Sequence, residues 1–152
     1  MINVFEGRYG FLSNFYECPV EYKGLRFKSS EAAYQAQKCK YDDKKELFTD
    51  LSPIEAKRFS RKVANVDNWY DIRADVMREV IHAKFDQNPE LAQLLIETYP
   101  EELVEQNYWH DNFFGACACP GCRDIRAENW LGLILMDERY ILMMAAGTND
   151  EQ

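Results

Sequence analysis

An α+β chain, mostly helical with one small antiparallel sheet, is what the sequence predicts, and three observations carry that. Val20-Glu-Tyr-Lys-Gly-Leu-Arg-Phe27 alternates apolar and polar residues around Lys23-Gly24, the pattern of a tight hairpin. Trp69, Ile72, Val76, Val80 and Ala83 recur at helical spacing, which predicts a long amphipathic helix over 69–85. Ser52-Pro53 pairs a capping hydroxyl with a proline suited to the first helical position, so another helix starts there.

The remaining elements follow in order. Val4-Phe5 predicts a short strand and Gly7-Arg8-Tyr9-Gly10 a turn, while Phe11–Tyr16 is aromatic without a clean period of two. Ser29 or Ser30 caps a helix reaching Lys38, with Glu31 in its first turn, where the helix dipole favours an anion. A helix over Asp43–Thr49 precedes the one begun at Ser52, which runs through Ala56, Arg58 and Arg61. Asn88-Pro89 breaks the long helix, a short one covers Glu90–Thr98, and Leu103–Tyr108 reads as a strand. A loop rich in Asn, Gly and Cys spans His110 to Arg126, and a last helix runs from Asn129 to Met144. With no repeat or linker, residues 1–148 read as one domain, followed by a short polar tail at 149–152.

Composition narrows the function classes. A chain of 152 residues, 47% hydrophobic and 14% aromatic, buries a core and is not disordered. No apolar run approaches the roughly 18 residues of a membrane span, and the start Met1-Ile-Asn-Val-Phe-Glu6 lacks a signal pattern. Five cysteines, three of them in one loop, fit reduced thiols better than a disulfide framework, so a cytoplasmic protein is expected. The net charge of −8 argues against an extended nucleic-acid groove but allows a local basic pocket for one or two phosphates.

The most informative stretch is Ser29-Ser-Glu-Ala-Ala-Tyr-Gln-Ala-Gln-Lys38. As a helix it sets Glu31, Tyr34, Gln35 and Lys38 at i, i+3, i+4 and i+7, within one arc of about 100°. Acid, phenol, amide and amine between small alanines suit the floor of a catalytic pocket. From the stripe alone, a solvated face with an i,i+7 charge pair is the more common outcome.

Other candidates are weaker. Cys117-x-Cys119-Pro-Gly-Cys122 offers three of the four ligands a zinc site wants, and His110 or Cys18 could add the fourth. With no second Cys or His pair elsewhere, a turn of half-buried thiols is the expectation and no metal is assigned. His82 reads as a structural histidine of the long helix. Arg58 with Arg61, and Trp69 with Arg73, suit phosphate beside a stacked base, although solvated arginines over a core Trp are the commoner meaning. Leu133, Ile134, Leu135, Met136, Met143 and Met144 read as core.

Taken together, several segments resemble the NADAR, or YbiA-like, N-glycosidase family. They are Tyr9-Gly-Phe-Leu-Ser-Asn14-Phe15, Ser30-Glu-Ala-Ala-Tyr-Gln-Ala-Gln-Lys38, Ser52-Pro-x-x-Ala-x-Arg-x-x-Arg61, Asn68-Trp69 with Val76-Met77, Lys84-Phe85 with Asn88-Pro-Glu-Leu91, Leu103-Val-Glu105, and Asn129-x-Leu-Gly-x-x-Leu-Met-x-x-Arg139. They run in family order over nearly the whole chain. The resemblance implies a single, mostly helical α+β domain with a small sheet. It implies cleavage of a ribosyl C1′–N bond, either in ADP-ribosylated guanine or in early riboflavin-pathway intermediates, with no cofactor. The family's reactive pair falls on Glu31 and Lys38, and its sugar-side acid on Asp111 of Asp111-Asn-Phe-Phe-Gly115. Phe114 stands where the family has Trp, the Cys117–Cys122 loop replaces a glycine-rich stretch, and Ser60 replaces a common Gly.

The roles expected on this reading are as follows. Glu31 transfers a proton and stabilises charge, Lys38 is an amine nucleophile able to form a Schiff base, and Asp111 accepts ribose hydroxyls. Arg61 and Arg73 hold phosphate. Tyr9, Phe15, Trp69 and Phe114 stack on base or sugar, and Asn14, Tyr34, Gln35 and Gly115 complete the substrate contacts. The partner is a nucleotide-like small molecule or a single ADP-ribosylated base, with no membrane involved. One alternative is a non-catalytic ADP-ribose or nucleotide reader, which needs no amine at C1′. Another is an interaction protein organised by the cysteine loop.

Overall fold

The computed structural model describes residues 1–150, and the side chains of residues 1–147. Chain contacts divide it into two compact units, one of Asn14–Pro89 and one of Met1–Ser13 with the residues from Glu90 onward.

The Asn14–Pro89 unit is built around the hairpin. β1 (Glu17–Tyr22) pairs antiparallel with β2 (Leu25–Ser29), with a register irregularity between Glu17 and Val20. Lys23 (φ 50°) and Gly24 (φ 84°) both take positive φ, which suits a two-residue turn that follows the strands' twist. Cys18 and Val20 on one strand and Phe27 and Ser29 on the other face inward. α1 (Ser30–Ala36) follows without a loop: Ser29 leaves the strand as N-cap and its Oγ accepts the Ala32 amide at 3.1 Å. α1 packs on both strands, on α3 (Pro53–Phe59) and on α4 (Trp69–Gln87). Ala32, Ala33 and Ala36 are wholly buried, so these elements close tightly around α1. α3 has a complete capping box, in which Glu55 N donates to Ser52 Oγ (3.3 Å) and Ser52 N to Glu55 Oε1 (3.0 Å). The helix predicted over 43–49 is a single turn, α2 (Asp42–Lys45), continued by a 3₁₀ turn at Glu46–Phe48. Arg61 lies past α3, in a 3₁₀ turn at Ser60–Lys62. Lys84 on α4 is fully buried against the rings of Tyr16 and Phe85, and burial pulls its pKa down to about 8.

The other unit contains α5 (Pro89–Glu97) from Glu90 on, β3 (Gln106–Asn107), β4 (Ala116–Cys117) and α6 (Trp130–Asp150). No strand forms at Val4-Phe5. Ile2 instead bridges to Leu103 in parallel, its amide donating to Glu102 O (2.8 Å) and its carbonyl accepting from Val104 N (3.0 Å). The turn expected at 7–10 is a 3₁₀ helix, Gly7–Leu12. The strand expected over 103–108 shrinks to β3, which pairs in parallel with β4, inside the segment read as loop. Arg139 is buried and donates to Thr98 Oγ1 (2.9 Å) and Glu101 O (2.8 Å), so this cation serves packing. α6 outruns its predicted end and takes up residues 149–150, which were expected in the tail; residues 151–152 of that tail lie outside the described residues. Of its predicted core residues, Ile134 and Leu135 are buried, Met136 and Met143 are half-buried, and Leu133 and Met144 are exposed. Among the described residues, no helix is long and apolar enough to cross a membrane.

Candidate active site

The Asn14–Pro89 unit gathers Asn14, Phe15, Glu31, Tyr34, Gln35, Lys38, Arg61, Trp69 and Arg73. The stripe on α1 is not a solvated face. Glu31 is 7% exposed, Tyr34 5% and Gln35 4%, because β1, β2, α3 and α4 cover the helix on several sides. An acid does not enter such a place without partners. Gln35 Nε2 donates to a Glu31 carboxylate oxygen at 2.7 Å, across one turn of helix. The Glu31 amide donates to Asn14 O (3.1 Å), and Ser30 Oγ donates to Asn14 Oδ1 (2.9 Å). Asn14, itself buried, therefore fixes the start of α1. The other face of the Gln35 amide, Oε1, is a buried acceptor with no hydrogen-bond donor among the described residues.

Lys38 departs from the helical expectation. α1 ends at Ala36, and Lys38 sits in the following turn, its amide donating to Gln35 O at 3.2 Å. From there the chain pairs with a distant segment: Lys38 O accepts from Val66 N (2.9 Å) and Lys40 N donates to Ala64 O (2.8 Å). The lysine is thus held by tertiary pairing rather than by the helix. Its Nζ lies 5.9 Å from the Tyr34 ring centre and 5.8 Å from that of Trp69, and the two rings stack at a tilt, 5.1 Å apart. Trp69 is 7% exposed, so it forms a wall beside the amine rather than an open stacking plate.

The electrostatics of Lys38 are the sharpest feature of this unit. Burial lowers its pKa below the usual lysine value. The Glu31 charge works against that shift, whereas Arg61, Lys57 and Arg73 reinforce it. One carboxylate and one amine therefore share a neighbourhood with three further cations. That charge set suits an anion, not a metal. Lys57 was missed in the sequence, although it stands at i,i+4 to Arg61. Its Nζ lies 5.8 Å from the ring centre of Phe15, which is 42% exposed. The guanidinium of Arg73 stacks on Tyr70 (4.9 Å).

Tyr9, Asp111, Phe114 and Gly115 belong to the other unit. Tyr9 is half-buried under the guanidinium of Arg8, 4.7 Å from its ring centre. Asp111 Oδ1 accepts the amides of Phe113 (3.0 Å) and Phe114 (2.9 Å), a turn that leaves the loop tightly wound. Buried Asn107 holds the same turn: its Oδ1 accepts from Asp111 N (3.1 Å) and its Nδ2 donates to Asp111 O (2.7 Å). Phe114 packs edge-to-face on Phe113 at 4.8 Å. Gly115 is required by close approach, since a β-carbon there would collide with the carbonyl and carboxylate of Glu105. It acts through its lack of a side chain. Sequence reasoning did not find Asn107, because an asparagine in a polar loop carries no distinguishing spacing.

The sequence model of the NADAR domain matches residues 3–143, across both units. "Riboflavin biosynthesis protein VVA0006" of Vibrio vulnificus is 38% identical over 93% of this chain, which spans only 38% of that protein's length. "N-glycosidase YbiA" of Escherichia coli is 35% identical over 86% of this chain and 80% of its own. The NMR structure of the Escherichia coli protein YbiA superposes with a TM-score of 0.81 at 32% identity, covering 95% of this chain and 86% of that one. The same mostly helical α+β architecture with a small antiparallel hairpin is present in both. The chain belongs to the NADAR domain family.

Proposed function

We propose that this protein is an N-glycosidase that hydrolyses the bond between ribose C1′ and a nitrogen of its substrate, with Glu31 and Lys38 as the reacting pair. The observation that carries the reading is the amine of Lys38, its pKa lowered by burial and by three neighbouring cations, close enough to Glu31 to feel its charge. A module that only binds a nucleotide gains nothing from an amine made less basic, whereas a nucleophile does. The names of the relatives, an N-glycosidase and a riboflavin biosynthesis protein, favour the same bond type.

As the C1′–N bond breaks, its electron pair stays on the departing nitrogen, which takes a proton from the carboxyl of Glu31. Positive charge builds at C1′ and is balanced by the resulting carboxylate. The neutral amine of Lys38 attacks C1′ as the bond to the departing nitrogen breaks; the C1′–O4′ bond then opens, with a proton from the new C1′-bound nitrogen passing through the Glu31 carboxylate to O4′, to give an imine that one water hydrolyses to ribose aldehyde and free amine. Arg61, Lys57 and Arg73 supply the counter-charge for a phosphate on the ribose. Gln35 Oε1 is an acceptor suited to a sugar hydroxyl. The resemblance adds Asp111 as a second acceptor for ribose hydroxyls and Phe114 as a stacking ring.

The substrate is an ADP-ribosylated guanine or an early intermediate of the riboflavin pathway. Both present a ribosyl nitrogen bond and a phosphate, and the cations around Lys38 fit either. Incubation with each in parallel, followed by chromatography of the sugar and base products, decides between them. Release of free base and phosphorylated sugar from one of the two is expected. Saturable binding of both without release would replace the enzyme by a reader of ADP-ribose.

A further inference from the structure

We propose that His110, Cys117, Cys119 and Cys122 hold one zinc ion, in a site that pins the loop carrying Asp111. The sequence spacing suggested a turn of idle thiols, and the side-chain geometry argues otherwise. One ligand atom from each of the four residues lies within 4.8 Å of all the others. A tetrahedral Zn²⁺ with sulfur at about 2.3 Å and nitrogen at about 2.05 Å requires N···S edges of about 3.6 Å and S···S edges of about 3.8 Å. The Nδ1 atom of His110 stands 3.3 Å from Cys122 Sγ, 3.4 Å from Cys119 Sγ and 3.9 Å from Cys117 Sγ.

Hydrogen bonding does not account for this convergence. A ring nitrogen has either one proton or one lone pair to share, and three sulfurs crowd around it. A cation in their midst engages all four atoms at once. Three thiolates and one imidazole in a tetrahedral set select zinc over magnesium, calcium or manganese, which want oxygen ligands. On binding, the three thiols release their protons to solvent as the metal–sulfur bonds form.

The surrounding chain is built for such a centre. Cys119-Pro120-Gly121-Cys122 is a Cys-x-x-Cys turn in 3₁₀ form, its Cys122 amide donating to Cys119 O at 3.1 Å. The backbone amide of His110 points at Cys117 Sγ (3.3 Å), an N–H···S contact that would ease negative charge on a thiolate. His110 takes φ 70°, a conformation few non-glycine residues adopt, at the point where the loop gathers these four side chains. Cys122 is buried and Cys117 and Cys119 are half-buried, and no two of the three are joined as a disulfide.

The site has a consequence for the neighbouring acid. Asp111 follows His110 directly, and the Asn112 side chain accepts the Cys117 amide at 2.9 Å, so the metal ligands and the Asp111 turn share one short loop. If Asp111 binds substrate as proposed above, stripping the ion raises KM about tenfold while the hairpin unit stays folded. The metal claim stands apart from that reading, because its main readout is metal content.

The test is elemental analysis of protein purified under reducing conditions, with the apo form titrated by Co²⁺. About one zinc per chain is expected, and cobalt should give the thiolate charge-transfer and strong d–d bands of a tetrahedral sulfur site. Cys119→Ser and Cys122→Ser should each lose the metal, while Cys18→Ser and Cys39→Ser should keep it. Should the loop variants not fold, the cobalt spectrum of the unaltered chain still decides. Less than about a tenth of a metal per chain with no cobalt band, or a disulfide recovered within the loop of the freshly reduced protein, would overturn the proposal.

Discussion

The α1 stripe and the His110–Cys122 loop place chemistry by opposite means. On α1, Glu31, Tyr34 and Gln35 are arrayed by helical periodicity, and neighbouring elements bury them. In the loop, no periodicity helps. Positive φ at His110, the Asn107 side chain and the Asp111 turn bring together residues that straight spacing would scatter. A helix can tune one amine by what is packed on it, whereas a loop of this kind needs a clasp.

If α1 is the reactive element, its substitutions should act on rate and not on fold. Lys38→Ala is the largest effect expected, with loss of at least about 10⁴-fold in turnover and an unchanged far-UV spectrum, because a nucleophile has no substitute. Glu31→Gln should cost at least about 100-fold in kcat, measured at saturating substrate, since an amide cannot deliver the proton. In the loop, by contrast, substitutions should act on stability. Gly115→Ala should lower the unfolding free energy by about 2–3 kcal/mol in denaturant titration, because the added methyl meets Glu105.

The smallest predicted effect is also the most discriminating. Burial and the cations Arg61, Lys57 and Arg73 lower the Lys38 pKa, and Glu31 raises it. The rate should therefore climb with pH as the amine deprotonates, along a limb that lies below the usual lysine pKa. Arg61→Gln removes a cation, so the limb should move to higher pH, while the lost phosphate contact raises KM by about tenfold. Glu31→Gln should move the residual limb to lower pH. Shifts of the same sign in the two variants would show that Lys38 does not control the profile.

The parts of the molecule legible in the sequence are those governed by local rules. Lys23-Gly24 marked the hairpin because only a positive-φ pair closes it. Ser52-Pro53 marked α3 through its cap, and the apolar spacing from Trp69 found α4 to within two residues of its observed end at Gln87. Burial of the α1 stripe was not legible, since it depends on strands and helices distant in sequence. The helix was drawn too long for a related reason: the pairing of Lys38 and Lys40 with Ala64 and Val66 takes the chain out of α1. Lys57 stayed hidden because one lysine on a short polar helix carries no distinguishing spacing. The four converging ligands of the loop were named as possibilities, but spacing alone could not bring His110 to the thiols.

The central claim is that the amine of Lys38 meets the anomeric carbon of a ribosyl substrate. Incubation with substrate in the presence of borohydride, followed by peptide mass analysis, tests it most directly. A reduced sugar adduct on the peptide carrying Lys38, absent from Lys38→Ala, is the expected result. Full turnover by Lys38→Ala, or an adduct that forms on another residue, would contradict it.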